Sequence, residues 1–313
     1  MTTTALPLAV RGLRKRYADV VAVDGLDLEI SRGECFGLLG PNGAGKTTTI
    51  EICEGLLEQD EGEVSVLGMS WDRDEKALRE RLGIQLQETQ LGEKLTVIET
   101  LRLFRSFYVK GMDIDQVIAR VQLDEKRDAR VGKLSGGQKQ RLALACSIIG
   151  DPELLFLDEP TTGLDPQSRR QLWDLIEEFK ATGKTIVLTT HYMDEAEILC
   201  DRVAIVDHGK IIALGSPRQL IESLGAEHMV EFRLVEDQAT DLPVEQLRSL
   251  DGVRDVRVLD GGYELRVAEL HRAVPALLAA LAERRLELSR LTTHSATLED
   301  VFVALTGRQL RDD

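Results

Sequence analysis

Residues 35–50, CFGLLGPNGAGKTTTI, constrain the fold of this 313-residue chain more than any other segment. The opening apolar run predicts a buried parallel strand, which turns through glycines and continues as a helix from Gly45. The spacing G-x-x-x-x-G-K-T from Gly40 to Thr47 is the Walker A phosphate loop, in which glycines and a helix N-terminus aim backbone N–H groups at a phosphate. Lys46 would reach the β- and γ-phosphates, and the Thr47 hydroxyl would bind Mg²⁺. The segment therefore predicts a nucleoside triphosphate site.

Charge and composition argue against several classes of protein. A net charge of −15 and a pI near 4.9 argue against a nucleic-acid-binding surface, which would need a basic face. The start of the chain lacks the pattern of a secretory signal, and the longest apolar run, residues 273–282, is far shorter than the ~20 residues of a bilayer span. We therefore expect a chain that does not itself cross a membrane. Four widely spaced cysteines predict buried thiols in the reducing cytoplasm.

Two carboxylates follow a second apolar run, residues 154–157, at the edge where ligands bind in open parallel sheets. Asp158 fits the role of holding Mg²⁺ through water, and Glu159 could accept a proton from a water that attacks the γ-phosphate. An ordinary charged strand end is the alternative, which the phosphate loop disfavours. His191 ends a third β-rich run, 185–190, where a γ-phosphate contact or water-positioning role is favoured over a structural one.

Two further features have two interpretations each. Tyr17 ends the predicted first strand, 8–17, where it could complete a small apolar cluster or stack on an adenine base; spacing does not separate these. In LSGGQ, residues 134–138, Ser135 is placed as an N-cap, so the amides of Gly136, Gly137 and Gln138 are expected to be free donors at a helix start. This is either an ordinary capped turn or a site for a phosphate.

The order of these motifs between Gly40 and His191 resembles the nucleotide-binding domain of ATP-binding cassette (ABC) proteins. The LSGGQ segment is the most specific part, and the likeness covers about residues 8–220. It implies an α/β fold with a P-loop ATPase core, an antiparallel β subdomain and a helical subdomain over about 74–149. Within that subdomain, the aromatic side chains of Phe104, Phe107 and Tyr108 are interpreted as core rather than as a partner groove.

The resemblance also implies a role for each matching residue. Tyr17 is the adenine-stacking aromatic, Gln87 the glutamine that touches Mg²⁺ and senses a permease, Asp165 the D-loop aspartate and His191 the switch histidine. Catalysis is assigned to Lys46, Glu159 and His191, and Mg²⁺ to Thr47, Gln87 and Asp158. The residues assigned to ATP are Tyr17, Gly40, Pro41, Asn42, Gly43, Ala44, Gly45, Lys46, Thr47, Thr48, Gln87, Ser135, Gly136, Gly137, Gln138 and Asp165.

The same resemblance implies partners. In this family two cassettes close head to tail, so that Ser135 to Gln138 of one chain contact the γ-phosphate held by the phosphate loop of the other. We therefore expect a homodimer or heterodimer of ATP-binding subunits that acts on a separate transmembrane permease, at the cytoplasmic face of the membrane. No nucleic acid is expected.

The pattern changes near residues 220–227, and residues 222–313 predict a small α+β domain with a regulatory or dimer-contact role, after the ATP-binding domain 1–221. The final segment LEDVFVALTG resembles the tail of drug-resistance and antibiotic-export ABC ATPases. We therefore expect an exporter subunit that hydrolyses ATP to ADP and phosphate, for drug, antibiotic or lipid-like cargo. An importer subunit is the alternative. A translation ATPase would usually carry two cassettes in one chain, whereas this sequence has one Walker A loop. A DNA-repair ATPase of the structural-maintenance type would need a heptad coiled coil between residues 48 and 157, and the sequence has none there.

Overall fold

The computed structural model describes residues 5–87, 90–225, 228–235, 242–259 and 261–307. These residues form two compact units that divide between Ser216 and Pro217. The division lies ahead of the boundary drawn from sequence at 221/222, because helix Pro217–Glu222 packs against the last helix, Leu298–Thr306.

The first unit is built on a six-stranded sheet and a smaller three-stranded one. Its strands are β1 (Leu8–Tyr17), β2 (Val20–Ile30), β3 (Cys35–Leu39), β4 (Glu61–Val66), β5 (Leu82–Gln85), β6 (Leu154–Asp158), β7 (Thr185–Thr190), β8 (Arg202–Asp207) and β9 (Lys210–Gly215). The large sheet has the order β5-β6-β7-β3-β8-β9, parallel except for β9, and the antiparallel sheet has the order β2-β1-β4. This arrangement confirms the predicted α/β core with an antiparallel β subdomain.

Three neighbouring strands of the large sheet place the candidate site. Every residue of β3, β6 and β7 is buried, which explains the short apolar runs at their centres. β7 pairs in parallel with β3 on one side and with β6 on the other. The carboxyl ends of all three strands therefore meet at one edge, where the phosphate loop, the two carboxylates and His191 follow them.

Seven α-helices of the first unit lie among the described residues: α1 (Lys46–Cys53), α2 (Trp71–Arg79), α3 (Val97–Arg105), α4 (Ile114–Arg120), α5 (Gly136–Ile148), α6 (Pro166–Ala181) and α7 (Met193–Leu199). Helices α3, α4 and α5 pack on one another. The helical subdomain expected over 74–149 needs a correction, because β5 lies inside that span and pairs with β6 in the large sheet. The mutually packed helices therefore begin after β5.

The second unit has its own sheet and core. Its elements are α8 (Pro217–Glu222), β10 (His228–Leu234), α9 (Val244–Arg248), β11 (Val253–Leu259), β12 (Gly262–Val267), α10 (Leu270–Glu283), β13 (Leu288–Ser295) and α11 (Leu298–Thr306). The strands form an antiparallel sheet in the order β11-β12-β10-β13. Alternate residues Val230 and Phe232 of β10 pack with Leu277 and Leu281 of α10 in one apolar cluster. In neither unit does a described helix have the length and apolar composition of a membrane span.

Candidate active site

The phosphate loop connects β3 to α1 and is held tightly between two other strands. A Cβ atom at Gly40 would collide with the carbonyl oxygen of Val206 on β8, and one at Gly45 with the carbonyl oxygen of Ala22 on β2. Gly45 also has a φ of 101°, in the left-handed region that L side chains rarely adopt. The loop can therefore take this close path only with glycine at these two positions.

Lys46 is buried inside the loop that precedes it. Its Nζ donates hydrogen bonds to the carbonyl oxygens of Gly40 at 2.8 Å and Pro41 at 3.0 Å. The same Nζ lies 3.7 Å from Oε1 of Glu159. Burial lowers the pKa of Lys46, and the nearby carboxylates of Glu159 and Asp158 oppose that shift. The ammonium group of Lys46 is thus held inside the loop, beside the carboxylate of Glu159.

Glu159, the residue directly after β6, contacts several polar side chains of the site. Thr162 Oγ1 donates to its Oε2 at 3.0 Å, and Gln87 Nε2 lies 3.4 Å from the same oxygen. His191 Nδ1 is 3.2 Å from that oxygen as well. The pKa of Glu159 lies below its usual range, and the contact with His191 is the largest cause. The side chain is therefore ionised at neutral pH and able to accept a proton.

The backbone of Glu159 is held in place by the neighbouring strand. Its N–H donates to Oγ1 of Thr189 at 3.0 Å and to the carbonyl oxygen of Thr189 at 3.2 Å, and its φ of 45° is unusual for a side chain of this kind. Sequence reasoning missed both Thr189 and Thr162. A threonine at the strand end and another three residues after the glutamate were the available signals, although neither is specific.

The oxygen atoms beside the loop form a donor set that suits Mg²⁺. Thr47 Oγ1 lies 3.4 Å from Oδ1 of Asp158, and Thr189 Oγ1 donates to the same carboxylate oxygen. Burial raises the pKa of Asp158, so a cation nearby would favour its ionised form. One hydroxyl and one carboxylate beside a phosphate loop match the preference of Mg²⁺ for a few protein oxygens supplemented by phosphate and water. The residues present therefore fit the ion.

Several of these groups line one open cavity of about 620 Å³, although Asp158 and Thr189 are not among its described lining residues. Its wall includes part of the phosphate loop, Gln87, Glu159 and His191, together with Tyr17. The Tyr17 side chain is 45% exposed and lies outside the apolar core cluster of the antiparallel sheet. This placement favours the base-stacking interpretation of Tyr17 over the apolar-cluster one. The described lining residues are Tyr17, Val20, Ala22, Asn42, Gly43, Gly45, Lys46, Thr47, Thr48, Gln87, Glu159, Thr162 and His191.

The LSGGQ segment lies outside this set and starts helix α5 at the surface. Ser135 is the N-cap, and its Oγ accepts from the N–H of Gln138 at 3.3 Å while the side chain of Gln138 accepts from the N–H of Ser135 at 3.0 Å. The expectation that the Gln138 amide is a free donor was wrong, because this capping box satisfies it. Ser135 and Gly136 are exposed, and Gly137 is half-buried.

Asp165 likewise caps a helix instead of lining the described cavity wall. Its side chain accepts from the N–H groups of Gln167 and Ser168, both at 3.1 Å, and from the Ser168 hydroxyl at 2.6 Å. The Ser168 hydroxyl, with these N–H groups, holds the pKa of Asp165 below its usual range. Gln140 of α5 donates to the carbonyl oxygen of Pro160 at 2.6 Å, a contact that sequence did not predict. The helix that LSGGQ starts is thus tied to the residue after Glu159.

Comparison with known families identifies two regions of the chain. Residues 23–162 match the sequence model described as ABC transporter. Residues 215–306 match the model described as ATP-binding protein DrrA1-3-like, C-terminal domain. The two matches together cover most of both structural units.

Relatives match along nearly the whole chain. The Nod factor export ATP-binding protein I of Ralstonia nicotianae is 40% identical over 314 residues, which cover 97% of this chain and 95% of the relative. The protein of the same name from Cupriavidus metallidurans is 41% identical over 316 residues, covering 97% and 99%. A solved ATP-binding subunit of an ABC transporter superposes with a TM-score of 0.64 and 30% identity, covering 71% of this chain and 94% of that one.

Proposed function

The chain belongs to the family of ABC transporter ATP-binding proteins, and from this premise we propose that it is the ATP-hydrolysing subunit of an exporter that drives a separate membrane permease. The observation that carries the proposal is the extent of the match to export ATP-binding proteins, which covers 97% of the chain and so includes the second unit. That unit also matches the C-terminal domain of DrrA1-3-like proteins. We propose drug, antibiotic or lipid-like molecules as cargo.

The cavity supports a division of roles among its residues. We infer that the base of ATP stacks on Tyr17, that the loop amides and Lys46 bind the β- and γ-phosphates, and that Glu159 accepts the proton of the attacking water. Lys46 lies close enough to Glu159 to place both groups near one phosphate, since their charged atoms are 3.7 Å apart. His191 orients the carboxylate of Glu159. ATP hydrolysis to ADP and phosphate is the reaction that this arrangement serves.

Thr47 and Asp158 would hold Mg²⁺, and Gln87, like Thr47, lines the cavity. When bound, the ion neutralises charge on the phosphate oxygens. The chain's own residues position it: Thr189 orients the Asp158 carboxylate by a hydrogen bond, and Thr47 is fixed at the second residue of α1.

The exposed helix starts support a second chain as partner. Ser135 and Gly136 are exposed, and Asp165 caps its own helix. None of the three is among the described residues that line the cavity of the same chain. We propose that they face the phosphate loop of another cassette, which completes each ATP site. Two identical chains or two related ones would satisfy this geometry equally.

A second exposed surface supports the permease as partner. Phe107, expected to be core, is 63% exposed, and its ring lies 5.8 Å from that of Phe104 in an edge-to-face contact. The two rings line a groove of about 340 Å³ together with Trp71, Ile84 and Tyr108. Ile84 belongs to β5, two residues before the segment that carries Gln87 to the cavity. We propose that a segment of the permease occupies this groove, which would place the protein at the cytoplasmic face of the membrane.

The proposal can be tested in inside-out vesicles that contain the chain together with its membrane permease. We expect ATP-dependent accumulation of an amphipathic fluorescent dye, and none with the Lys46→Ala variant. Phe107→Ser should retain the ATPase rate of the isolated chain but lose dye accumulation, whereas Leu278→Ser, at a similarly exposed position of the second unit, should retain both. Transport that requires an external binding protein and runs inward would contradict export.

A further inference from the structure

A row of three side chains links the start of helix α6 to Glu159. The guanidinium carbon of Arg169 lies 4.0 Å from the ring centroid of Tyr192. The ring of Tyr192 lies 4.1 Å from the imidazole of His191, centroid to centroid, at an interplanar angle of 40°. His191 Nδ1 is 3.2 Å from Oε2 of Glu159. Contacts between a cation and a ring, and between two rings, are attractive at such distances.

Arg169 uses the flat face of its guanidinium more than its hydrogen-bond donors. Its Nε is buried and has no hydrogen-bond partner among the described residues. Its Nη1 lies 3.7 Å from Oδ2 of Asp194, which holds the group over the ring. Arg169 lies one helical turn after Asp165, whose carbonyl oxygen accepts its N–H at 3.0 Å. The residue is therefore fixed to the exposed start of α6.

Tyr192 is fixed just as firmly at the other side. It is the N-cap residue of α7, and its N–H donates to Oγ1 of the buried Thr190 at 2.9 Å. One turn after Arg169, Trp173 Nε1 donates to the fully buried carboxylate of Glu195 in α7 at 2.8 Å. This bond joins α6 to α7, so the stacked side chains between the two helices keep their spacing.

We propose that Tyr192 and Arg169 are positioning residues that hold the imidazole of His191 in the orientation it needs beside Glu159. The second torsion of a histidine side chain has a broad energy profile, so a stacked neighbour decides where the ring lies. Neither Tyr192 nor Arg169 is among the described residues that line the cavity, so we assign them a positioning role and not a contact with ATP. The inference rests on the ATPase function proposed above.

The arrangement also connects His191 to the start of α6, which Asp165 caps. A contact that moves this exposed helix start would move Arg169, and through it the ring of Tyr192. The imidazole would thus adopt its working orientation together with the placement of the segment proposed to meet the second cassette.

The test is steady-state ATP hydrolysis by the full-length chain and by four variants. Tyr192→Ala should lower kcat by about 10- to 100-fold, the effect of misplacing a catalytic group by about an ångström. The KM for ATP should change by less than about twofold, because the phosphate loop and Tyr17 are untouched. Tyr192→Phe keeps the ring and should retain the wild-type kcat. Arg169→Gln should lower kcat by less than Tyr192→Ala, also without a change in KM.

Tyr192→Leu is a control for loss of stability, because the leucine side chain fills much of the same volume but has no flat ring to stack on His191. If it melts at the wild-type temperature and has the low kcat of Tyr192→Ala, the stacked ring is what matters. A wild-type kcat for Tyr192→Leu or Tyr192→Ala overturns the positioning role, and so does a loss in Tyr192→Phe as large as that in Tyr192→Ala. An inactive wild-type chain overturns instead the proposed ATPase function, which separates the two failures.

Discussion

The cavity and the start of helix α5 carry the two best-defined motifs of the chain, yet their polar groups differ in burial and in the partners they contact. At the cavity, ionisable groups meet one another: the buried Lys46 and the half-buried His191 both approach the carboxylate of Glu159. At the start of α5, the exposed Ser135 and the side chain of Gln138 satisfy each other's backbone groups. In the first region polar side chains are packed closely against one another, whereas the second is an ordinary, exposed helix cap.

This difference indicates which region can act within one chain. Burying a charge costs free energy unless the charge has a partner. We therefore infer that the cluster around Glu159 has a function within its own chain. An exposed cap with glycine after it has no such cost, and its open surface is useful only if something binds there. The comparison therefore predicts that the cavity binds ATP by itself and that hydrolysis also needs the α5 start of a second chain.

The largest effect is expected from Lys46→Ala, which removes the buried positive charge from the cavity. ATPase activity should be abolished, because a preorganised charge on the phosphates is a main source of catalysis, and ATP affinity should fall. Phosphate release and isothermal calorimetry measure the two quantities. Turnover at the wild-type rate would show that the loop does not hold the reacting phosphate.

Glu159→Gln should separate binding from turnover at the same cavity. The amide has the size of the carboxylate but cannot accept a proton, so kcat should fall by about 10²- to 10⁴-fold while ATP still binds. The ATP-bound protein should then accumulate as a dimer, visible as a shift in size-exclusion chromatography with ATP. An elution volume that stays monomeric would count against the two-chain site.

Gly136→Asp tests the other region without disturbing its own chain. A Cβ atom at Gly136 meets nothing within 4 Å, and an acidic residue in the first turn suits the helix dipole, so stability should change by less than about 0.5 kcal/mol. If a γ-phosphate of a second chain approaches this point, its charge repels the carboxylate and ATPase activity falls. Gly136→Ala is the matched control of small size. Full activity of the Asp variant with normal dimer formation would place the phosphate elsewhere.

Mixing the two inactive variants, Lys46→Ala and Gly136→Asp, sharpens the same test. A mixed dimer combines the intact phosphate loop of one chain with the intact α5 start of the other, and so contains one complete site. Random pairing makes about half of the dimers mixed, so about a quarter of the wild-type activity should return. An activity of zero across all mixing ratios would argue for sites formed within single chains.

The cavity could be located from the sequence because its functional residues follow the carboxyl ends of short buried strands. Lys46, Glu159 and His191 each follow a short, fully buried run, and parallel strands bring their carboxyl ends to one edge. Thr189 could not be found in this way. Its hydroxyl reaches both Asp158 and Glu159 because of the register in which β7 pairs with β6, and register is not written in either strand alone.

Contacts between helices were equally hidden. The stack of Arg169 on Tyr192 depends on how α6 packs against α7, and no spacing in the sequence predicts it. The span expected for the helical subdomain included the four residues of β5, because their pairing with β6 in the large sheet is not written in either strand alone. The exposed position of Phe107 was missed because helical periodicity identifies an apolar face but not whether anything covers it.

A smaller effect is expected from Tyr17→Ala, at the exposed end of the cavity. Loss of base stacking should weaken ATP binding by about 1–3 kcal/mol, and because stacking is similar in the ground and transition states, KM should rise more than kcat falls. Tyr17→Phe retains the ring and should behave like the wild type. An unchanged KM in the Ala variant would show that the cavity binds ATP without this residue.

The smallest effect is expected from ending the chain after Ser216, which removes the second unit and leaves the whole cavity and the α5 start in place. The removed unit has an apolar core of its own, so the first unit should remain folded and bind ATP with unchanged affinity. If the second unit pairs with its copy in another chain, it raises the effective concentration of one cassette at the other. If hydrolysis needs both chains, as proposed, the rate per chain should fall more steeply on dilution for the shortened protein and match the full chain when concentrated. Circular dichroism melting provides the folding control. Identical dilution curves would show that the second unit does not hold the dimer together, and would leave control of the permease as its role.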